Sequence, residues 1–191
     1  MNLDPKSLLD SVLHKRHKAR QALGILLLIV IVVASTPFSI PLYLLGALLA
    51  LLGIAVRLWG AGHLKKDQEL ARDGPYAFVR HPLYVGNMLI IIGFLLCAQA
   101  WWLVPVAIAF ALLYYPPAIR KEDAKLRRRF PAEWEAWGHS TYALIPKLQP
   151  QAPLNLQHWS FQQSLRANGE PIIAALLLFG VVVMGGRLFG G

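Results

Sequence analysis

Two short stretches hold residues whose types and spacing could do chemistry. The first, Gly74 to Gly86, reads GPYAFVRHPLYVG and runs straight into the apolar stretch Met88 to Ala98. Pro82 suits the first turn of a helix, because its missing N–H would have no intrahelical partner there and its fixed φ is already helical. A helix is therefore expected to start near Pro82, with Tyr76, Arg80, His81 and Tyr84 at its mouth. Unpaired N–H groups and the helix dipole favour an anionic, water-borne ligand at such a mouth. Arg80 has two open readings, a ligand contact or a snorkelling interface charge.

The second stretch begins at Arg120-Lys121-Glu122-Asp123 and continues through Leu126, Phe130, Trp134 and Trp137. A carboxylate at the border of hydrocarbon is costly and is usually retained for a partner. For Glu122 the partner is either a cationic ligand or its neighbours Arg120 and Lys125. Leu126, Phe130 and Trp134 recur at i,i+4 and Trp137 follows at i+3, with Pro131 breaking or restarting the helix between them. An aromatic face is expected to lie along the bilayer surface.

The elements that must position these residues are membrane helices. The chain has 191 residues and is 56% hydrophobic, with mean hydropathy +0.47, too little polar surface for a soluble domain. Apolar runs cover Gln21 to Phe38, Pro41 to Trp59, Leu83 to Ala98, Trp101 to Ile119 and Pro171 to Leu188. Each is near the ~17–25 residues that cross a bilayer. The expected fold is an all-α integral membrane protein with about five transmembrane helices. Gln99 separates runs three and four just before Trp101-Trp102, so a tight hairpin over 83–119 is expected, with Trp anchors at its turn.

A net charge of +9 could indicate nucleic acid, but the placement of Lys and Arg speaks for topology. They concentrate before run one, between runs two and three, and after run four, whereas the Ser35 to Ile40 and Gln99 turns carry none. The N-terminus is thus expected in the cytoplasm and the C-terminus outside. Arg57 is expected to snorkel from run two, and Arg187 alone contradicts the pattern. Run one also has the layout of a secretory signal, although its twenty-residue polar leader is long for one. Residues 1–20 carry Leu8, Leu9, Val12 and Leu13 at helical spacing, which fits a basic lead-in or an amphipathic helix on anionic lipid.

Cys97 stands alone in an apolar run and is expected to pack. The six His form no metal-ligand spacing with Cys, and there is no phosphate loop or nucleophile elbow. Gly86 and Gly93 share one face of the third helix, open to a neighbouring helix or to a ligand.

Gly74 to Gly86 closely resembles the cofactor motif of the isoprenylcysteine carboxyl methyltransferase family, a relative of the membrane phospholipid methyltransferases. The resemblance covers about Trp59 to Pro146. In that family the second stretch has paired acidic residues, a Leu, Phe-Gly and two Tyr. Here it stands as Glu122-Asp123, Leu126, Phe130-Pro131, Trp134 and Trp137, and Ile145-Pro146 matches its usual end. The resemblance implies that Tyr76, His81, Pro82, Leu83, Tyr84 and the acidic pair Glu122 and Asp123 surround S-adenosylmethionine in a cytoplasmic-facing pocket. It also implies a contribution from the loop Gln68 to Ala71, including Leu70, which here lacks the family's usual His. Arg120 is the candidate for holding an acceptor carboxylate, although the family's Arg aligns closer to Ala118; a membrane-edge charge is the other reading.

The cofactor's chemistry fits these residues. An α-ammonium suits Glu122, an α-carboxylate suits His81 or the helix N-terminus, and Tyr76 or Tyr84 could line the adenine or sulfonium. Methyl transfer to a carboxylate needs positioning and desolvation but no general base; an amine must also lose a proton. The expected enzyme takes a lipid or lipid-modified acceptor from the bilayer, a prenylcysteine-type carboxylate first and a phospholipid amine second. An NADPH-dependent sterol-reductase-like enzyme and a non-catalytic membrane protein are the remaining readings. The expected organisation is a lead-in (1–20), two spans (21–60), a methyltransferase core (61–148), a cytoplasmic linker (149–170) and a last span (171–189).

Overall fold

The computed structural model describes residues 21–65, 68–152, 154 and 158–190. The amphipathic reading of 1–20 and its HKRH lies outside the described residues. Seven α-helices follow in order among the described residues: α1 (Gln21–Val33), then α2 (Ile40–His63), α3 (Pro82–Ala98), α4 (Val104–Arg129), α5 (Pro131–Gly138), α6 (Phe161–Asn168) and α7 (Glu170–Phe189). Single 3₁₀ turns cover Gly74–Ala77 and Trp101–Leu103. Proline occupies one of the first two positions of α2, α3, α4, α5 and α7, where a missing N–H costs nothing.

The chain is an integral membrane protein of all-α class. Three helices are long and apolar enough to cross a bilayer, namely α2, the Trp101–Arg129 stretch and α7, while α1 and α3 are apolar but shorter. The five expected apolar runs thus form helices of unequal length. Run one stays apolar to Phe38, but its helix stops at Val33 because Ser35 Oγ donates to the Val32 carbonyl and Pro37 disfavours helix in the residue before it. Run four does the opposite. Its helix continues unbroken past Ile119 to Arg129, with Pro116 and Pro117 inside it.

Helix α3 packs lengthwise on α2, and its contact with α4 is slight, so the expected 83–119 hairpin is not a packed pair. The reason is glycine. A Cβ on Gly93 would lie 2.6 Å from Gly46 O and Ala50 N, and one on Gly53 would lie 2.7 Å from Gly86 O. Gly86 and Gly93 therefore serve a helix neighbour, with backbones in direct contact.

The end of the molecule remote from the motif is closed by two side chains. Gln99, at φ 53, accepts the Phe38 and Ser39 N–H groups on Oε1 and donates to Ser39 O through Nε2. Arg187 Nη1 lies 2.6–3.2 Å from Val32 O, Val33 O, Ser35 O and Ser35 Oγ. Its position, anomalous by charge counting, is that of a cation capping the carbonyl end of α1.

Gly93→Val is expected to lower stability by about 1–3 kcal/mol or more, because backbone and not a flexible side chain occupies the space. Gly186→Ala, with nothing within 4 Å, is expected to be neutral or slightly stabilising. Thermal unfolding in detergent compares them, and an equal response would contradict the packing argument.

Candidate functional site

The polar end of the bundle is assembled on the loop between α2 and α3. Gly74 opens it with φ +55, and a Cβ there would lie 2.7 Å from the His63 ring, so both backbone and space require glycine. His63 is itself buried at the end of α2, its Nδ1 3.0 Å from Trp59 O. The next residues, Pro75 to Ala77, are buried.

The segment after α5 then runs beside the motif. Arg80 N–H donates to Tyr142 O, His81 N–H to Ala143 O, Lys147 N–H to Phe78 O and Gln151 N–H to Ala77 O. Tyr84 and Val85 N–H both reach His81 O. Most of the donors expected to await an anion at the start of α3 are thus already used within the fold.

His81 is 4% exposed and is the hub of the site. Its Nε2 lies 2.8 Å from Asp123 Oδ1 and its Nδ1 3.9 Å from Glu122 Oε2. The two motifs meet, although 42 residues separate His81 from Asp123. The Glu122 side chain is 47% exposed, twice the 23% of Asp123, so Glu122 is the carboxylate open to a ligand. Tyr84 stands between the His81 ring at 5.7 Å and the Tyr115 ring at 5.5 Å. Phe110 continues the aromatic series at 5.8 Å from Tyr115 and, with Tyr114, lines a largely apolar groove against α1.

The remaining candidates divide. Leu70 and Tyr76 are buried together against Trp134 and Trp137, and Trp137 Nε1 donates to Tyr76 O at 3.2 Å. The expected aromatic face on the bilayer surface is corrected: both Trp face inward, 6% and 4% exposed. Pro82 and Leu83 pack over Gly60 of α2. Arg120 is exposed on α4, one residue beyond buried Ile119. Arg80 turns inward instead of snorkelling. It donates to Gly138 O at 2.8 Å, lies 5.5 Å above the Trp134 ring and approaches Asp123 at 3.7 Å.

Sequence reasoning missed one polar group. Arg57, expected to snorkel, turns inward and forks onto Glu170, with Oε1 2.6 Å from Nη2 and Oε2 3.0 Å from Nε. Glu170 was findable by the argument applied to Glu122, a carboxylate at the border of an apolar run.

Burial pushes the Tyr76 hydroxyl well above its ordinary range, and the fields of Glu122 and Glu170 add to the rise. The folded chain thus holds this proton where the unfolded chain releases it near pH ~10. Its contribution to stability is complete below that pH and is lost as pH rises further. Tyr76→Phe should therefore flatten the fall in melting temperature above pH ~10. Equal slopes for the two proteins would contradict it.

The chain is 38% identical over 128 residues to the nickel-cobalt-cadmium resistance protein NccN of Alcaligenes xylosoxydans xylosoxydans, covering 64% of this chain and 58% of that protein. It is 40% identical over 116 residues to the cobalt-zinc-cadmium resistance protein CzcN of Cupriavidus metallidurans, covering 59% and 51%. The chain thus spans little more than half the length of these curated relatives. No solved structure matches. Residues 20–133, from the start of α1 through the acidic pair to the first turn of α5, match the phospholipid methyltransferase family. The chain is a member of the phospholipid methyltransferase family.

Proposed function

We propose that the protein uses S-adenosylmethionine to methylate an amphiphilic acceptor in the bilayer, the amine of a phospholipid being the acceptor the site suits best. One observation carries this reading: His81 is held by Asp123 at 2.8 Å beside the open carboxylate of Glu122. The donor set fits the cofactor. Glu122 offers an anion for its ammonium and Tyr84 offers aromatic surface for a cation, while Leu70, Tyr76, Pro82 and Leu83 back these groups from the buried side. The cofactor supplies an electrophilic methyl on a sulfonium.

An amine acceptor must lose one proton as its new N–C bond forms. His81, oriented by Asp123, is the group within the site able to receive it. The apolar groove between α1 and α4, with Phe110 and Tyr115 leading from it toward Tyr84, supports entry of the acceptor from the bilayer. The concentration of Lys and Arg at this end supports a pocket facing the cytoplasm.

A carboxylate acceptor is the second reading, favoured by the GPY and RHP sequence with its acidic pair. It would leave His81 without a proton to take. A part in metal resistance, by analogy with NccN and CzcN, would be exercised through lipid chemistry. Among the described residues no three His, Cys, Asp or Glu side chains gather where a metal ion could sit.

Purified protein incubated with methyl-labelled S-adenosylmethionine and membrane extract, then treated with base, tests the acceptor. Base-stable label in lipid is expected, and release of the label as volatile methanol would assign the carboxylate instead. Binding of NADPH in preference to S-adenosylhomocysteine would remove the methyltransferase reading altogether.

Glu122→Gln should weaken S-adenosylhomocysteine about ten- to a hundredfold, the worth of a charge-assisted hydrogen bond. Unchanged affinity in a folded variant would refute the assignment. Asp123→Asn should lower kcat by about 10²-fold or more while leaving that affinity nearly intact.

A further inference from the structure

Arg57 lies in α2 between Gly53 and Gly60, the stretch that faces α3. Its stem crosses α3 at Gly86, where a Cβ would come within 2.6 Å of Arg57 Cγ. The last glycine of the motif is therefore the opening through which this side chain passes. Beyond it the guanidinium is gripped on two sides. Nε and Nη2 donate to the two oxygens of Glu170 at 3.0 and 2.6 Å, and Nη1 donates to Asn87 Oδ1.

A guanidinium carries five N–H donors in a planar fork. Glu170 takes the Nε/Nη2 edge and Asn87 takes one N–H of Nη1. Two donors are left, one on each terminal nitrogen, and guanidinium N–H groups are strong donors to phosphate and carboxylate oxygens. Asn87 is three residues beyond Tyr84, so the two occupy one face of α3. Tyr84 in turn meets His81 and Tyr115. The Arg57 side chain keeps 13% of its surface exposed, whereas that of Glu170 keeps 2%. A buried ion pair adds little stability over apolar residues of the same volume, so stability alone does not account for this one.

We propose that Arg57, held by Glu170 and Asn87, binds the anionic oxygens of the methyl acceptor, with Glu170 as its positioning residue. This rests on the methyltransferase reading above and adds the group that recognises the acceptor. The anion is the phosphodiester of a phospholipid or the carboxylate of a lipid-modified cysteine, and the same donors take either. Glu170 begins α7, beyond the family-matched residues 20–133, so the last helix completes the site. Arg120, the earlier candidate for this task, is exposed on α4 and shares neither anchor.

Native mass spectrometry of the full chain in detergent reads lipid binding without requiring turnover, with phosphatidylethanolamine and N-acetyl-farnesylcysteine as separate probes. Calorimetry with S-adenosylhomocysteine reads the cofactor site in parallel. Arg57→Gln should reduce retention of the preferred probe about ten- to a hundredfold and leave S-adenosylhomocysteine affinity within about twofold. Which probe responds identifies the anion. Should Arg57→Gln fail to fold, Glu170→Gln and Asn87→Ala each remove one anchor. They should raise the acceptor KM with kcat little changed, which a merely structural tie would not do. Wild-type lipid retention in folded Arg57→Gln overturns the proposal, as does a loss of S-adenosylhomocysteine affinity with lipid retention intact. A wild-type protein that retains lipid through Arg57 but transfers no methyl sinks the methyltransferase reading and leaves Arg57 as the anchor of a lipid anion that is not a methyl acceptor.

Discussion

The site depends on one contact, the backbone-to-backbone approach of α2 and α3. Lipid tails are as apolar as leucine, so helices in a bilayer gain little from hydrophobicity and must associate through close packing. Gly46 and Gly53 on α2 and Gly86 and Gly93 on α3 recur at seven-residue spacing and allow that approach. It fixes where α3 begins relative to the end of α2. Pro82 then lies over Gly60, the 74–77 turn folds beneath His63, and Arg57 reaches across Gly86. Substituting these glycines would change the pocket before it changed any residue in it.

The bilayer also dictates where polar groups can rest, since an unpaired backbone group in hydrocarbon costs several kcal/mol, roughly. At one end Gln99 and Arg187 satisfy the backbone where α1 stops short. At the other, Arg80 supports His81 and Asp123 from the α5 side while Arg57 and Glu170 close the α7 side. The aromatic residues Tyr84, Tyr115 and Phe110 lead from this polar end into the apolar interior.

Much of this was legible in the sequence. Apolar length located the helices, and proline marked where several start. Topology alone required the start of α3 and the acidic end of α4 to share a surface, and His81 does meet Glu122 and Asp123. What stayed hidden has a common physical cause: spacing identifies a face but not what covers it. The Leu126, Phe130, Trp134 and Trp137 series was read as a face, yet it turns toward Leu70 and Tyr76 rather than toward lipid. Charge counting assigned Arg57 and Arg187 to sides of the membrane but could not supply Glu170 or the carbonyls of α1 as partners, because each lies more than a hundred residues away.

That separation bears on how the protein is made. Arg57 leaves the ribosome 113 residues before Glu170, roughly 6–23 s earlier at 5–20 residues per second. During that interval its charge has no counter-ion and must wait at the membrane surface or against water. The carbonyls at the end of α1 wait longer still, for Arg187, 155 residues after Val32. Insertion of α7 is therefore the step that neutralises both ends of the bundle at once, and a nascent chain arrested before it would carry an unpaired Arg57 and an uncapped first helix.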